Sequence, residues 1–147
     1  MKYTEANLGR IFVLRLDHGD TVPGTIEDFA REQGIKAALV YFLGGAQKGS
    51  KVVVGPEDGP AAQPVTMTAV LPGVSEAVGY GTLFLNQEDL PKLHLHASFG
   101  REEKSITGCT REGIEIWVMG EVVVCELVNT SARRKTDEQS GFELLEV

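Results

Sequence analysis

The sequence predicts an α+β domain, in which a mainly antiparallel sheet, curled or closed, carries one short helix against it. Three observations predict this. Most of the chain consists of β-rich runs cut by Gly-, Pro- and Asp-rich turns. One segment alone, Thr25–Gln33, combines helical periodicity with helix start and stop signals. Successive strands are joined by short connections, which suit antiparallel neighbours. The 147 residues contain neither an internal repeat nor a linker, and they suit a single domain over 1–147 with its core at about 9–145.

In chain order, Arg10–Asp17 (RIFVLRLD) reads as the first strand, and Asp17-His18-Gly19-Asp20 as a turn. His18 is expected to be a solvent-exposed turn residue. In Thr25–Gln33, Ile26, Phe29 and Ala30 form an i, i+3, i+4 stripe. Glu27 and Asp28 favour the positive N-terminus, and Gly34 is a natural residue to follow the helix. Lys36–Leu43 is too short for a long helix and reads as a central strand, ended or bulged at Gly44-Gly45. Ser50–Val54, Val65–Leu71 and Ala77–Asn86 follow as strands, with Gly79 and Gly81 marking bends or close backbone contact, simple sheet curvature being favoured. Ile114–Val128 is the longest β-rich run, so its edges need cover from neighbouring strands or another subunit. Arg133–Lys135 is expected in a solvated loop, and Phe142–Val147 as a short edge strand.

The chemistry concentrates in Leu93–Thr110, LHLHASFGREEKSITGCT. Leu93, Leu95, Ala97 and Phe99 alternate with His94, His96 and Ser98, the period-2 pattern of a half-buried strand, so both histidines share a face. A tight turn at Glu102-Glu103 pairs Arg101 with Lys104 and, counting back, His96 with Cys109. Two imidazoles and a thiol then converge, leaving a fourth position open, as in a catalytic or ligand-accepting zinc site. A one-residue slip would send Cys109 to the other face. A second turn centred on Glu112 would set Glu115 opposite Cys109, with Glu121 of the same parity farther along. Either is a candidate to move protons beside a metal-bound water.

Fourteen basic against 21 acidic residues give a net charge of −7, which argues against direct binding to a phosphate backbone. No apolar run approaches the ~18 residues of a membrane helix. The opening MKYTEANLGR lacks the apolar core of a signal peptide, so the expected location is cytoplasmic. The two cysteines, Cys109 and Cys125, are expected to be unbridged. No phosphate-cradling loop, nucleophile elbow or CxxC pair is present.

The succession GRIFVLRLDHGD, a helix followed by GIKAALVYFLGGAQKGSKVVVG, then HLHASFGRE, TGCTREG, GEVVV and GFELLEV resembles the plants-and-prokaryotes conserved (PPC) domain. The most specific piece is HLHASFG with the hairpin after it. The resemblance implies an α+β fold, assembly as a homotrimer, and zinc or another divalent transition metal at the H-x-H and a third ligand, usually the histidine of a G-G-H segment. Here that segment reads Thr107-Gly108-Cys109, which makes the third ligand cysteine. The fold is also similar to that of acetolactate decarboxylase, a zinc enzyme with a multi-histidine site. In plants the domain accompanies AT-hook segments, on which its DNA-binding designation leans; this sequence contains no Arg-Gly-Arg-Pro.

Three functions fit. The first is a metal-binding PPC protein with a regulatory or ligand-sensing role and a small molecule at the open position. The second is a metal-dependent enzyme acting on a small oxygenated substrate, with Glu115 or Glu121 handling protons. The third is an interaction module with incidental histidines. The sequence is read as the first.

Overall fold

The computed structural model describes residues 1–60 and 64–147. The β-rich runs form β1 (Asn7–Asp17), β2 (Thr21–Val22), β3 (Ala37–Ala46), β4 (Lys51–Pro56), β5 (Thr66–Val70), β6 (Ser75–Leu85), β7 (Pro91–Arg101), β8 (Lys104–Cys109), β9 (Ile114–Val128), β10 (Arg133–Thr136) and β11 (Glu143–Glu146). The helical run forms α1 (Gly24–Glu32). The main sheet runs β1-β9-β3-β6-β7-β8-β4-β5, with β2 added to β9, while β10 and β11 pair separately. All pairings are antiparallel. The path has two free ends, so of the two expected forms the sheet is not closed. It does curl: the amide of Glu115 on β9 donates to Ser50 Oγ at the start of β4, although four strands lie between them in the order.

One face of the sheet is buried and contiguous with α1. Phe12, Leu14 and Leu16 of β1, Val122 and Val124 of β9, Val40 and Phe42 of β3, and Leu93 and Leu95 of β7 join Ile26 and Ala30 of the helix in a single core. Phe29 meets Phe12 edge to face at 5.3 Å. Gly34 adopts φ +67, the left-handed turn that ends the helix. Beyond it Arg10 forms a bidentate pair with Glu126, 2.7 Å and 2.8 Å, and also donates to the carbonyl of Gln33 at 3.0 Å. One guanidinium thus ties β1, β9 and the negative end of α1 together.

Ile114–Val128, expected to need cover, lies between β1 and β3, and its edges are filled by these neighbours. A bulge at Gly44/Gly45 shifts its register against β3, as the glycine pair suggested. Two expectations are corrected. Arg133–Lys135 is not a solvated loop but part of β10, paired to β11; its polar sequence concealed a strand whose partner lies ten residues away in the chain. Gly79 and Gly81 mark close contact rather than simple curvature: a Cβ on Gly81 would stand 2.3 Å from the His94 carbonyl oxygen, and one on Gly79 2.5 Å from that of His96. These two glycines let β6 seat itself against the backbone of the histidine strand.

Two outcomes follow from this packing. Gly81→Ala should destabilise the fold by about 2–3 kcal/mol, because backbone rather than a movable side chain blocks the added methyl; an unchanged denaturation midpoint would contradict the packing. The Arg10 hydrogen bonds hold the Glu126 carboxyl below its ordinary range. That stabilisation is full above the ordinary value of 4.5 and is lost as pH falls through the lowered one. The Tm difference between wild type and Glu126→Gln should therefore be present at neutral pH and disappear on acidification.

Candidate metal centre and its cleft

Alternation along β7 buries Leu93, Leu95, Ala97 and Phe99 and turns His94 and His96 outward. The turn after Arg101 pairs that residue with Lys104, which sets His96 opposite Cys109. This is the register expected from the sequence. The Nε2 atoms of His94 and His96 are 3.0 Å apart, with the rings edge to face at 4.9 Å. One ring nitrogen of each histidine and Cys109 Sγ lie within 4.8 Å of one another. Tetrahedral zinc, with bonds of about 2.0–2.1 Å to nitrogen and 2.3 Å to sulfur, needs ligand separations of about 3.3–3.6 Å. The two imidazoles are already near this spacing, and a shift of about an ångström at the sulfur completes it, within reach of a side-chain rotation. The residues fit a three-ligand divalent site.

The electrostatics agree. Burial, followed by the positive charges of Arg134 and Arg111, holds His94 below its ordinary pKa. His96 is lowered by burial, then by His94 and Arg111. Both rings are neutral at neutral pH, the form in which imidazole nitrogen binds a metal. Cys109 is only 3% exposed, and Arg111 Nε donates to its sulfur at 3.2 Å. Neither Cys109 nor Cys125 is bridged.

His94 and Cys109 open into a cleft of about 490 Å³ whose walls come from distant parts of the chain. α1 contributes Glu27, β7 Lys92, β10 Arg134, β11 Glu143, and the approach to β11 Phe142. Size alone does not single it out: a groove of about 550 Å³ between Gly34 and Arg133 contains no histidine or cysteine. Glu27 is engaged, accepting from the Leu93 amide at 2.9 Å and facing Lys92 Nζ at 3.7 Å. Arg111 stacks over Phe142 at 5.3 Å.

The expected acid/base carboxylates are elsewhere. Glu115 does not face Cys109, because β8 and β9 never pair; its partner is Thr21, on β2. The turn after Thr110 leads away to the opposite part of the sheet, where hairpin counting no longer applies. Glu121 lies between Arg15 and Leu43, four strand positions across the sheet from β8. His18 is exposed in its turn, where its Nδ1 accepts from the Val118 amide at 3.3 Å, outside the cluster. The arginines were missed for a simple reason: Arg134 sits in a charged run that reads as surface, and its approach to β7 is set by the β10–β11 hairpin.

No curated protein matches this sequence. A metal-containing protein of Archaeoglobus fulgidus is 28% identical and superposes with a TM-score of 0.83, each chain covered completely. A plant- and prokaryote-conserved protein of Pyrococcus horikoshii is 23% identical, with a TM-score of 0.81 over the whole of both chains. A protein of Ralstonia eutropha JMP134, named as a candidate DNA-binding protein, shares the fold at 19% identity and a TM-score of 0.69, with 92% of this chain and 90% of that one covered. The sequence model of the Plants and Prokaryotes Conserved domain matches residues 3–128, and with that match across most of its length the chain belongs to this family.

Proposed function

We propose that the protein is a metal-binding member of its family with a ligand-sensing or regulatory role, in which His94, His96 and Cys109 hold a divalent transition metal, zinc fitting best. The observation that carries this reading is the convergence of three ligand atoms within 4.8 Å beside an open cleft. The metal-containing relative from Archaeoglobus fulgidus supports it. A metal in this setting would offer its fourth position to a small molecule. Glu115 and Glu121, the carboxylates expected to move protons, lie outside the cleft, which removes the support they gave to turnover. Direct DNA binding is not part of the proposal, since a net charge of −7 opposes it. No helix of the described residues is long and apolar enough to cross a membrane, and the proposed location is the cytoplasm.

The outward face of the sheet supports self-association. Ile11, Val13, Tyr41, Leu43, Val78 and Tyr80 are all exposed there, with Val13 81% and Tyr80 67% accessible. Such a patch usually marks an interface, and the proposed occupant is further copies of the chain, as a homotrimer.

Elemental analysis of the purified protein should find about one metal per chain, as a single three-ligand site requires. His96→Ala should lose it while keeping its thermal transition. Metal retained in that variant, or none in wild type after incubation with excess zinc, refutes the assignment. In sedimentation equilibrium the wild type should show three times the monomer mass, and Val13→Glu, remote from the histidines, should shift it towards monomer; a monomeric wild type refutes the assembly.

A further inference from the structure

Two guanidinium groups line the cleft with no carboxylate in ion-pair contact among the described residues, Glu27 and Glu143 acting on Arg134 only through space. Arg134 is only 5% exposed, yet among the described residues neither it nor Arg111 forms an ion pair with a carboxylate. Its Nε donates to the Lys92 carbonyl at 3.3 Å, and its Nη2 donates to Thr82 O and Thr82 Oγ1, both at 3.0 Å. Those bonds fix the plane of the guanidinium and leave both N–H groups of Nη1 without an acceptor among the described residues. No buried side-chain nitrogen of the described residues is left without a partner, so Nη1 is not sealed in the core, and the cleft is what Arg134 lines. Arg111 uses only Nε, on Cys109 Sγ, and keeps its terminal N–H groups for a ligand. Burying a charged group without a counter-charge is costly. The cleft carboxylates form no ion pair with Arg134: Glu27 is committed to Leu93 N and Lys92, and Glu143, in an exposed edge strand, acts on Arg134 only through space.

We infer that the ligand of this cleft is a small oxyanion, a carboxylate or phosphate, gripped by Arg134 and Arg111 beside the His94–His96–Cys109 cluster. Planar, bidentate donors suit such groups. The inference deepens the metal-site reading and rests on it for the placement of the anion: a divalent ion on two neutral imidazoles and one thiolate keeps a net positive charge, which adds to the pull of the arginines. The arginines themselves need no metal to bind.

The test is isothermal titration with malonate, inorganic phosphate and uncharged malonamide. Each is added to metal-loaded and to chelator-stripped protein at physiological salt, with metal content measured on the same samples. Malonate or phosphate should bind, the better of the two identifying the source of the oxyanion, and malonamide should not. Arg134→Met and Arg111→Met should each weaken that binding about tenfold or more, as expected for lost charge-assisted hydrogen bonds. If Arg134→Met loses its thermal transition, the exposed Arg111→Met decides alone. No heat with either anion, or unchanged affinity in a folded variant, overturns the inference. Arginine-dependent binding by a protein that takes up no metal upholds it and refutes the metal reading.

Discussion

The structure depends on the strict alternation of β7. Residues two apart share a face and neighbours do not, so the same strand that feeds Leu93, Leu95, Ala97 and Phe99 into the core must present His94 and His96 on the other side. The core fixes the phase: sliding β7 by one residue would bury both imidazoles and expose four apolar side chains. On one flank a tight turn carries this phase to β8 and places Cys109 opposite His96. On the other flank Gly79 and Gly81 bring β6 against the histidine carbonyls, where any side chain would collide. The candidate metal centre is therefore a by-product of how the sheet buries its other face, and the stability of the core protects the geometry of the site.

Pairing across the sheet lines up Val13, Val123, Tyr41, Tyr80, His96 and Cys109 as successive partners from β1 to β8. This row is apolar over most of its length and turns into metal-ligating chemistry at its end. Tyr80 stands directly across from His96, so the apolar row runs up to the imidazoles.

The charge distribution is uneven in a way that composition conceals. The chain as a whole is acidic, yet Lys92, Arg111 and Arg134 border one cleft with Glu27 and Glu143, and the two arginines form no ion pair with a carboxylate among the described residues. Low dielectric and short distances make this local field matter more to a bound ligand than the net charge, whose influence is screened beyond about 8–10 Å. Burial first, and this field after it, lowers His94 below its ordinary pKa, while His96 is lowered by burial, then by His94 and Arg111. A small anion would meet a positive pocket on a negative surface, whereas a nucleic-acid backbone would meet the surface.

What the sequence determined on its own was local, with the charged strand β10 the exception. Periods of two and of about four residues placed the strands and the helix, Gly34 ended the helix, and a two-residue turn counted His96 to Cys109 across a hairpin whose strands are adjacent in the chain. What only the tertiary structure decided was every contact between elements far apart in the chain. Glu115 was expected beside Cys109 by the same counting, but β9 crosses to lie between β1 and β3, and hairpin arithmetic holds only where strands actually pair. Arg134 reads as one residue of a charged surface run, yet β10 folds it over the end of β7 and buries it against Thr82 and Lys92. The physical reason is one of range. Side-chain alternation and turn geometry act over a few residues and are written in the order of the chain, whereas strand order is settled by the burial of the whole apolar face, a sum over residues that the order of the chain does not reveal.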